Sequence, residues 1–405
     1  MTRVVVTGLG VVTPLGDRVA EFRERLLAGE SAAGPITLFD PAALATRIAA
    51  EARTVDDRAR DRKVEFGVTA ARAAVEDAQY RGIALREFYS DGGGGLSFGI
   101  GLELFSMPDM IELLRDEQTP ARRAPTFLQT PSDVCLHLIC REHRLHTPPL
   151  MHVSACAAST DAIGEAFRLI RDGERSWMIA GGTDSMINPM GVAGFCRIQA
   201  MTTRNDDPKR ASRPFDRDRD GFLLGEGAGA LVLESLERAR ARGARIYAEI
   251  RGYGNSFDAY GISDPHPNGD GARLAIQRAL ASAGVAPEQV CFVNAHGTST
   301  PKNDPAETLA IRRVFGAHAE RLRVNSTKSM IGHLISASGA VETVGQLACA
   351  AAGWMHPTIN LEHPDPSCDL NYAIDVPIAV EQPIFIKNSF GFGGQNAALV
   401  VQAAC

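Results

Sequence analysis

The stretch His152-Val153-Ser154-Ala155-Cys156-Ala157-Ala158-Ser159-Thr160 places one thiol where the hydrophobic pattern of the chain changes. An apolar run ends before it, and the segment after it has apolar residues at helical spacing, namely Ile163, Ala166, Phe167 and Ile170. The pattern predicts a strand-to-helix turn with Cys156 at the amino end of the helix. There the helix dipole would stabilise a thiolate, which predicts a cysteine that reacts near neutral pH. Taken alone, the same residue also fits a buried structural cysteine.

Two distant histidine motifs favour the reactive interpretation. His296 lies in Val293-Asn294-Ala295-His296-Gly297-Thr298-Ser299-Thr300, and His333 ends Asn325-Ser326-Thr327-Lys328-Ser329-Met330-Ile331-Gly332-His333. Each histidine follows an apolar run that ends in turn-type residues, so each is expected near the carboxyl end of a strand. The surrounding Gly, Ser and Thr residues are typical of a loop that a ligand approaches. A nucleophile and its histidines are commonly remote in sequence and adjacent only in the fold.

Composition excludes several classes of protein. The 405 residues are 45% hydrophobic and include 39 glycines, enough for one large core or two fused smaller ones. The formal charge is -6 without a block of like charge, which gives nucleic-acid binding little support. No run of 18 or more apolar residues occurs, so no membrane span is expected. The amino terminus resembles a buried strand more than a signal peptide. The eight cysteines form no CxxC pair, which predicts reduced thiols in a cytoplasmic protein and argues against a disulfide framework or a zinc site.

The order of hydrophobic patterns suggests a duplication. Strand-like segments alternate with helix-like ones in both parts of the chain, which predicts an α/β protein with sheets covered on both faces. We place the division near Ala244, giving halves 1–244 and 245–405 that share a core. The predicted strands are Val4–Val6, Trp177–Ala180, Ala228–Leu233, Ile246–Tyr253, Val290–Val293, Ile384–Lys387 and Ala397–Val401.

Two other patterns carry little functional weight. Gly8-Leu9-Gly10-Val11-Val12-Thr13 only partly matches a dinucleotide-binding fingerprint, and no matching acidic ribose ligand is evident. The alternating run Asp216-Arg217-Asp218-Arg219-Asp220 predicts a solvated turn.

Taken together, these motifs resemble those of the elongating β-ketoacyl-acyl carrier protein synthases, the condensing enzymes of fatty acid and type II polyketide assembly. The resemblance covers essentially the whole chain and implies the thiolase fold, a duplicated α/β architecture in five layers, αβαβα. Besides the cysteine and histidine motifs, it rests on Val4-Val5-Val6-Thr7-Gly8-Leu9-Gly10, Ala180-Gly181-Gly182-Thr183-Asp184, Ser212-Arg213-Pro214-Phe215-Asp216, Asp220-Gly221-Phe222, Gly225-Glu226-Gly227 and Asn388-Ser389-Phe390-Gly391-Phe392-Gly393-Gly394.

The resemblance implies a role for each residue of the reaction centre. Cys156 would take the acyl chain from the phosphopantetheine thiol of a carrier protein, and His296 and His333 would stabilise the enolate left when a malonyl-type extender loses CO2. Lys328 would orient and polarise the region of the second histidine, with Glu342 as its buried partner. Because the phosphopantetheine belongs to the carrier, no metal or redox cofactor is expected on this chain.

Further roles follow from the same resemblance. The backbone N–H groups of Cys156 and Phe392 would form an oxyanion hole, and Phe392 would act as a gate because its glycine neighbours permit backbone movement. Thr298 and Thr300 match positions that hydrogen-bond the pantetheine arm. An acidic acyl carrier protein would dock on basic residues near the tunnel mouth, for which the candidates are Arg122, Arg123, Arg204 and Lys63.

Three positions depart from the usual family pattern. Ser336 and Ser338 stand where small Gly or Ala residues are common, and Gln395 stands where Thr is usual. Each could reshape the acyl pocket or the moving loop. The resemblance also implies that the pocket floor comes from the dimer partner, around the segment equivalent to Phe98 to Glu112, whose bulky residues could shorten or shape the tunnel.

Several alternatives remain open within this resemblance. A fatty acid elongase would form a homodimer, whereas a type II polyketide ketosynthase would pair with a chain-length subunit that lacks the nucleophile. A non-catalytic scaffold subunit is disfavoured because Cys156, His296 and His333 are all present. An initiating synthase would have Asn in place of His333, and a degradative thiolase would need a second cysteine near the carboxyl terminus. Cys405, at the chain end, is poorly placed for that role.

Overall fold

The computed structural model describes residues 2–53, 61–79, 85, 89, 93–101 and 131–404. Its strands are β1 (Val4–Val12), β2 (Gly34–Pro35), β3 (Ile48–Ala49), β4 (Gly94–Ile100), β5 (Leu150–His152), β6 (Trp177–Asp184), β7 (Gly227–Ser235), β8 (Ala248–Phe257), β9 (Phe292–Asn294), β10 (Arg323–Asn325), β11 (Trp354–Met355), β12 (Asn371–Tyr372), β13 (Ile378–Ala379), β14 (Ile384–Gly391) and β15 (Gln395–Ala403). Its helices are α1 (Val19–Leu27), α2 (Arg62–Asp77), α3 (Pro131–His143), α4 (Ala158–Arg171), α5 (Pro189–Arg197), α6 (Leu236–Ala241), α7 (Asp270–Ala283), α8 (Asn303–Phe315), α9 (Lys328–Ile331) and α10 (Ser338–Ala350).

The main sheet consists of two similar halves joined edge to edge. Its strands follow the order β5-β4-β6-β7-β1 and then β8-β15-β14-β9-β10-β12. In the first half the three parallel strands β5, β4 and β6 are followed by the antiparallel strands β7 and β1. The second half repeats this pattern with β10, β9 and β14 followed by β15 and β8, and adds β12 as a fourth parallel strand beside β10. The halves meet where β1 pairs with β8 in antiparallel fashion, from Val4 opposite Ile250 to Val6 opposite Ala248. This repetition confirms the duplicated α/β organisation.

Helices complete the five layers. Helices α4 and α10 lie in the middle layer, where α4 contacts β4, β6 and α10, while α10 contacts β6, β7 and α1. Helix α2 covers the outer face of the first half with α3 packed on it, and α7 covers the second half with α8 packed on it. All 13 residues of α10 are buried, as an apolar middle helix requires. The layers are therefore those that the thiolase-fold resemblance implies.

One hydrophobic core spans both halves. It includes Val4, Ile163 and Leu231 from the first half and Val344 and Leu399 from the second. The halves thus share a core, as expected, although the position of the division near Ala244 stays a prediction. None of the helices in the described part of the chain is long and apolar enough to cross a membrane.

The glycines of the first strand have a packing role. A Cβ atom added to Gly10 would lie 2.0 Å from the carbonyl oxygen of Ala70, and one added to Gly8 would lie 2.1 Å from that of Ala74. Helix α2 therefore packs directly on the backbone of β1. This close approach accounts for the partial dinucleotide fingerprint without a nucleotide.

All seven predicted strands are confirmed. The helical segment predicted after Cys156 coincides with α4. The seven cysteines in the described residues are free thiols, as predicted.

Candidate functional site

The turn that carries Cys156 is strained and tightly enclosed. Residues 155–157 form one 3₁₀ turn between β5 and α4, and Ala155 has φ of 47°, which is rare for a residue with a Cβ atom. A Cβ atom added to Gly391 would lie 2.8 Å from the carbonyl oxygen of Ser154 and 3.2 Å from the nitrogen of Cys156. Gly391, at the end of β14, therefore fits against this turn only because glycine has no side chain.

The turn after His333 repeats that geometry in the second half. Residues 335–337 form a 3₁₀ turn before α10, and Ile335 has φ of 44°. The backbone of His333 is held by two hydrogen bonds, one from its N–H to the carbonyl of Leu223 (2.7 Å) and one from Gly225 N–H to its carbonyl (3.0 Å). The two middle helices thus begin with equivalent strained turns, and these turns contact each other.

The three predicted reactive side chains converge in this region. The Sγ of Cys156 and one ring nitrogen each of His296 and His333 all lie within 4.8 Å of one another. His333 Nε2 lies 3.0 Å from Cys156 Sγ, and the centroids of the two imidazole rings are 5.3 Å apart. All three side chains are buried. They can therefore act on the same small group.

Hydrogen bonds to His333 determine its tautomer. The backbone N–H of Ile335 donates to Nδ1 at 3.3 Å, so in the neutral ring the proton is on Nε2, which faces Cys156. The hydroxyl of Ser338 lies 2.9 Å from the same Nδ1 and can donate to it as well. Burial lowers the pKa of His333 well below its usual value, and the ammonium groups of Lys328 and Lys387 lower it further. The imidazole is therefore a neutral donor through Nε2.

His296 is positioned by a carboxylate that the sequence analysis did not identify. The two oxygens of Glu307 accept hydrogen bonds from the backbone N–H groups of His296 and Gly297, both at 2.8 Å, and one also accepts from Asn388 Nδ2 at 3.1 Å. Burial lowers the pKa of His296 well below its usual value, with Lys328 adding to the effect. Its Nδ1 has no hydrogen-bond partner among the described residues, so a substrate atom or a water can satisfy it.

The charged run from Asp216 to Asp220 supports the same loop, so the prediction of a solvated turn is wrong for Asp216 and Arg219. Asp216 and Arg219 are buried. Arg219 binds Asp365 at 2.6 Å and lies 3.7 Å from Asp304. Asp304 in turn accepts a hydrogen bond from the N–H of Thr298 at 3.1 Å. Partners remote in the sequence make burial of these charges possible.

The protonation state of Cys156 differs from the prediction. Burial raises the pKa of its thiol to about 11, although the Phe392 N–H that bonds to it and the charge of Lys328 act in the opposite direction. The thiol is therefore protonated at neutral pH, and the helix dipole does not maintain a thiolate at rest. The contact does place the Phe392 N–H at the sulfur, where the sequence predicted an oxyanion donor.

Lys328 and Glu342 form the predicted ion pair, with Nζ to Oε1 at 2.6 Å and both side chains buried. The structure adds a second ammonium group, because Lys387 Nζ lies 2.8 Å from Oε2 of the same carboxylate. Both lysines lower the pKa of both histidines.

These charges decide between two uses of a Cys-His-His cluster. One thiol and two imidazoles are also donors for Zn²⁺. Here the site already has two ammonium groups beside the histidines, and a divalent cation would be repelled by them. The arrangement is better suited to an organic substrate that develops negative charge.

A pocket leads from the surface to the three side chains. Its lining includes Cys156, His296, His333, Thr298 and Thr300, together with Phe222, Phe390 and Phe392. The hydroxyls of the two threonines are 2.9 Å apart. The threonines predicted to hold a pantetheine arm therefore line the path to the sulfur, although their role stays a prediction.

Cys156 also belongs to an apolar cluster. The cluster contains Cys156 together with Ile36, Met186, Ile187, Val192, Phe195, Met201, Phe222, Leu224 and Ile335. Phe392 packs against Phe195 with ring centroids 6.4 Å apart. Phe392 therefore both lines the pocket and packs against this cluster, and its role as a gate stays a prediction.

The predicted docking residues are only partly within the described chain. Arg122 and Arg123 lie outside the described residues, as does most of the segment from Phe98 to Glu112. The prediction for Lys63 is wrong, because helix α2 packs against the sheet and leaves this side chain 2% exposed with its Nζ 3.2 Å from Asp61. Arg204 is half-buried and donates to the carbonyl of Asp218 at 3.2 Å, so its docking role stays a prediction.

Sequence reasoning missed Glu307 and Lys387, although each had a signal. Glu307 lies in the first turns of α8, close after the His296 motif, where an acidic side chain can reach the backbone N–H groups of the preceding loop. Lys387 is a charged residue within the apolar strand β14, where lysine is rare unless it has a buried partner. The departure at Ser338 was noticed, but its contact with His333 was not predicted.

Comparison with protein families gives two adjoining matches. The model described as "Beta-ketoacyl synthase, N-terminal domain" matches residues 1–239, and "Beta-ketoacyl synthase, C-terminal domain" matches residues 247–362. A 3-oxoacyl-(acyl-carrier-protein) synthase 2 of Synechocystis sp. is 43% identical, with 98% of this chain and 97% of the relative covered. The protein of the same name from Coxiella burnetii is 42% identical, with 98% of each covered.

Solved structures agree with these matches. The chain is 30% identical, with a TM-score of 0.91 and full coverage of both chains, to a structure described as a type II PKS acyl-carrier protein in complex with its ketosynthase bound to the hexaketide (AntDE:AntF). It is 35% identical, with a TM-score of 0.86 and full coverage of both chains, to the ishigamide ketosynthase/chain length factor.

The raised pKa of Cys156 predicts how alkylation depends on pH. Only the thiolate reacts, so the rate of Cys156 alkylation by iodoacetamide should rise about tenfold per pH unit from pH 7 to pH 9. Peptide mass spectrometry after timed quenching measures this rate, and Cys156→Ala identifies the signal. A rate already constant between pH 7 and pH 9 would mean that a thiolate exists at rest.

Proposed function

The chain belongs to the beta-ketoacyl synthase family, and from this premise we propose that it catalyses the decarboxylative Claisen condensation of an acyl thioester with a malonyl group on an acyl carrier protein. The observation that carries the proposal is the convergence of Cys156 Sγ with a ring nitrogen each of His296 and His333 within 4.8 Å. The reaction serves the elongation of a fatty acid or polyketide chain.

The first step transfers the acyl group to Cys156. The sulfur attacks the thioester carbonyl of the acyl carrier, the carbon–sulfur bond to the carrier breaks, and the thiol proton ends on the released carrier thiol. His333 Nε2–H and the Phe392 N–H both face the sulfur and stabilise the negative charge as that proton leaves. Activation therefore accompanies the arrival of substrate, because the buried thiol is neutral at rest.

The second step generates the carbon nucleophile. When the malonyl carboxylate leaves as CO2, its bonding electron pair moves toward the thioester oxygen, and neutral His296 and His333 donate hydrogen bonds to that oxygen. Their lowered pKa values keep both rings neutral at physiological pH. No metal or redox cofactor takes part in this sequence.

The third step forms the carbon–carbon bond. The enolate attacks the acyl carbonyl on Cys156, the tetrahedral oxyanion collapses, and the cysteine leaves as a thiolate that takes up one proton. The products are the β-ketoacyl carrier, CO2 and the free thiol of Cys156. The Phe392 N–H bonds to the sulfur of Cys156, which supports its proposed role as an oxyanion donor. The loss of one such donor typically costs about 3 kcal/mol of activation free energy.

A carrier protein is the proposed partner in both half-reactions. The solved relative described above is a ketosynthase complexed with its acyl-carrier protein. In this chain the lining of the pocket includes Gln199 and Ala200, close in sequence to Arg204. Within the described residues, Arg204 is the candidate for docking an acidic carrier. Arg122 and Arg123 are the candidates that lie outside them.

The proposal is tested by separating acyl loading from decarboxylation. Cys156→Ala should abolish the acyl adduct seen by intact-mass spectrometry, whereas Cys349→Ala, which removes another buried thiol, should keep it. His333→Ala should slow CO2 release from malonyl carrier by roughly 10²- to 10³-fold, and acyl loading less. An adduct of unchanged yield in Cys156→Ala would refute the nucleophile assignment, and the reverse order of losses in His333→Ala would refute the role of that ring.

The sheet edge at β5 supports an additional proposal, that the chain acts as a dimer. Among the residues that the structure describes, β5 is the last strand of the sheet on this side. Leu150 and Met151 in this strand, and Val153 directly after it, are exposed. An apolar edge strand can pair with a second sheet, which would bury these side chains. The partner is a second copy or a chain-length-factor-like subunit, as in the ishigamide structure.

Native mass spectrometry of the purified chain distinguishes these states. We expect twice the 43.3 kDa chain mass for a homodimer, and Val153→Lys should shift it to the single mass because a charge at the edge opposes pairing. A single chain mass for the wild type would exclude the homodimer. Co-expression with a chain-length-factor-like subunit would then show whether the heterodimer forms.

The contact between Ser338 and His333 predicts a measurable effect on decarboxylation. In Ser338→Ala, Nδ1 loses one of two donors and the Nε2–H tautomer is less favoured, so CO2 release should fall by about three- to tenfold, the equivalent of one hydrogen bond. The control is Thr343→Val, which removes a buried hydroxyl of the same helix that bonds only to the carbonyl of Gly339. Equal rates in Ser338→Ala and wild type would contradict the effect.

A further inference from the structure

The carboxylate of Glu342 lies between two buried ammonium groups. Lys328 Nζ is 2.6 Å from Oε1, and Lys387 Nζ is 2.8 Å from Oε2, with none of the three side chains more than 1% exposed. Two cations and one anion leave an unbalanced positive charge, which is costly in a protein interior. The nearby carboxylate of Glu307 already accepts three N–H donors, so it does not pair directly with either lysine.

Lys387 also connects the two halves of the site. Its ammonium donates to the hydroxyl of Ser389 at 3.3 Å and to the carbonyl of Asn388. The hydroxyl of Ser389 lies 2.7 Å from that of Thr160, in the first turn of the helix that follows Cys156. A single side chain thereby links the helix behind the nucleophile to Glu342 on the helix behind His333.

The charge of Lys387 acts on both catalytic imidazoles. It lowers the pKa of His296 and of His333, in each case in addition to burial and to Lys328. Burial also lowers the pKa of Lys387 itself, to about 8, while the negative charges of Glu342 and Glu307 act in the opposite direction. At physiological pH most of the lysine is therefore protonated.

We infer that Lys387 is a positioning residue for the decarboxylation step, a role that rests on the proposed function. Its ammonium binds the second oxygen of Glu342 and so fixes that carboxylate, and it supplies positive potential beside the two histidines. That potential disfavours imidazolium, so both rings remain neutral donors at lower pH. It also favours the negative charge that moves onto the thioester oxygen when CO2 leaves.

The inference predicts the behaviour of Lys387→Met, which keeps the length of the side chain and removes its charge. Malonyl decarboxylation should slow by roughly 10- to 100-fold, while acyl loading of Cys156 changes less. The pKa of both histidines should rise when the cation is lost. Since the rate falls as the rings become protonated, the acid limb of the pH profile for CO2 release should move to higher pH.

Two further variants separate the charge from a merely structural role. Ser389→Ala removes the hydrogen bond from Lys387 to the Ser389 hydroxyl but keeps the ammonium beside Glu342. The acid limb of the pH profile for CO2 release should therefore be the same as in the wild type. Lys387→Ala leaves room for a small cation, so ammonium chloride should restore part of its decarboxylation rate, and tetramethylammonium chloride at the same ionic strength should not. This second readout also serves if Lys387→Met does not fold.

The outcomes are distinguishable from those of the proposed function. If the wild type forms no acyl adduct on Cys156, the proposed function itself fails. If the wild type loads and decarboxylates normally, an unshifted acid limb in Lys387→Met overturns the inference about Lys387 alone. Equal rates for Lys387→Ala in the two salts would overturn it in the same way.

Discussion

The packing of helix α4 against helix α10 is the contact on which the rest of the site depends. A Cβ atom added to Gly339 would lie 2.1 Å from Thr160 Oγ1, and the N–H of Ala340 donates to Ser159 Oγ at 3.0 Å. The amino ends of the two helices are therefore in direct contact. Because each helix begins at a strained 3₁₀ turn, this contact brings Cys156 and His333 face to face although they are 177 residues apart. The duplicated sheet is the frame that holds the helices in this position.

Burial then sets the chemistry of the groups that meet there. Away from water, the neutral form of each group is favoured, which raises the pKa of the thiol and lowers the pKa of both imidazoles. The Phe392 N–H and the charge of Lys328 act on Cys156 in the opposite direction but do not outweigh burial. The reaction centre is therefore neutral at rest, and its donors become useful only when a substrate develops charge, which is when preorganised donors contribute most.

The sequence predicted those features that depend on local pattern. The seven strands, the position of Cys156 at a turn and the two histidine loops all follow from hydrophobic periodicity and glycine-rich segments within about ten residues. The features it missed depend on partners distant along the chain. Glu307 was not recognised because its role depends on how helix α8 returns to the His296 loop, and Lys387 because its partner Glu342 lies on another element. Lys63 was misassigned for the same reason, since only the packing of helix α2 shows that it is buried.

The backbone and the side chains of the site have different roles. The three reactive groups are positioned by turns and by backbone hydrogen bonds, which many sequences of this fold can form. Ser338 and Lys387 instead act through side-chain contacts on the second half, one on the ring of His333 and the other on the carboxylate of Glu342. Both favour the same state, a neutral His333 whose Nε2 carries the proton, because the hydroxyl can donate to Nδ1 and the ammonium opposes a second proton. Two side chains far apart in the chain thus reinforce one protonation state, which is the state that the proposed decarboxylation step requires.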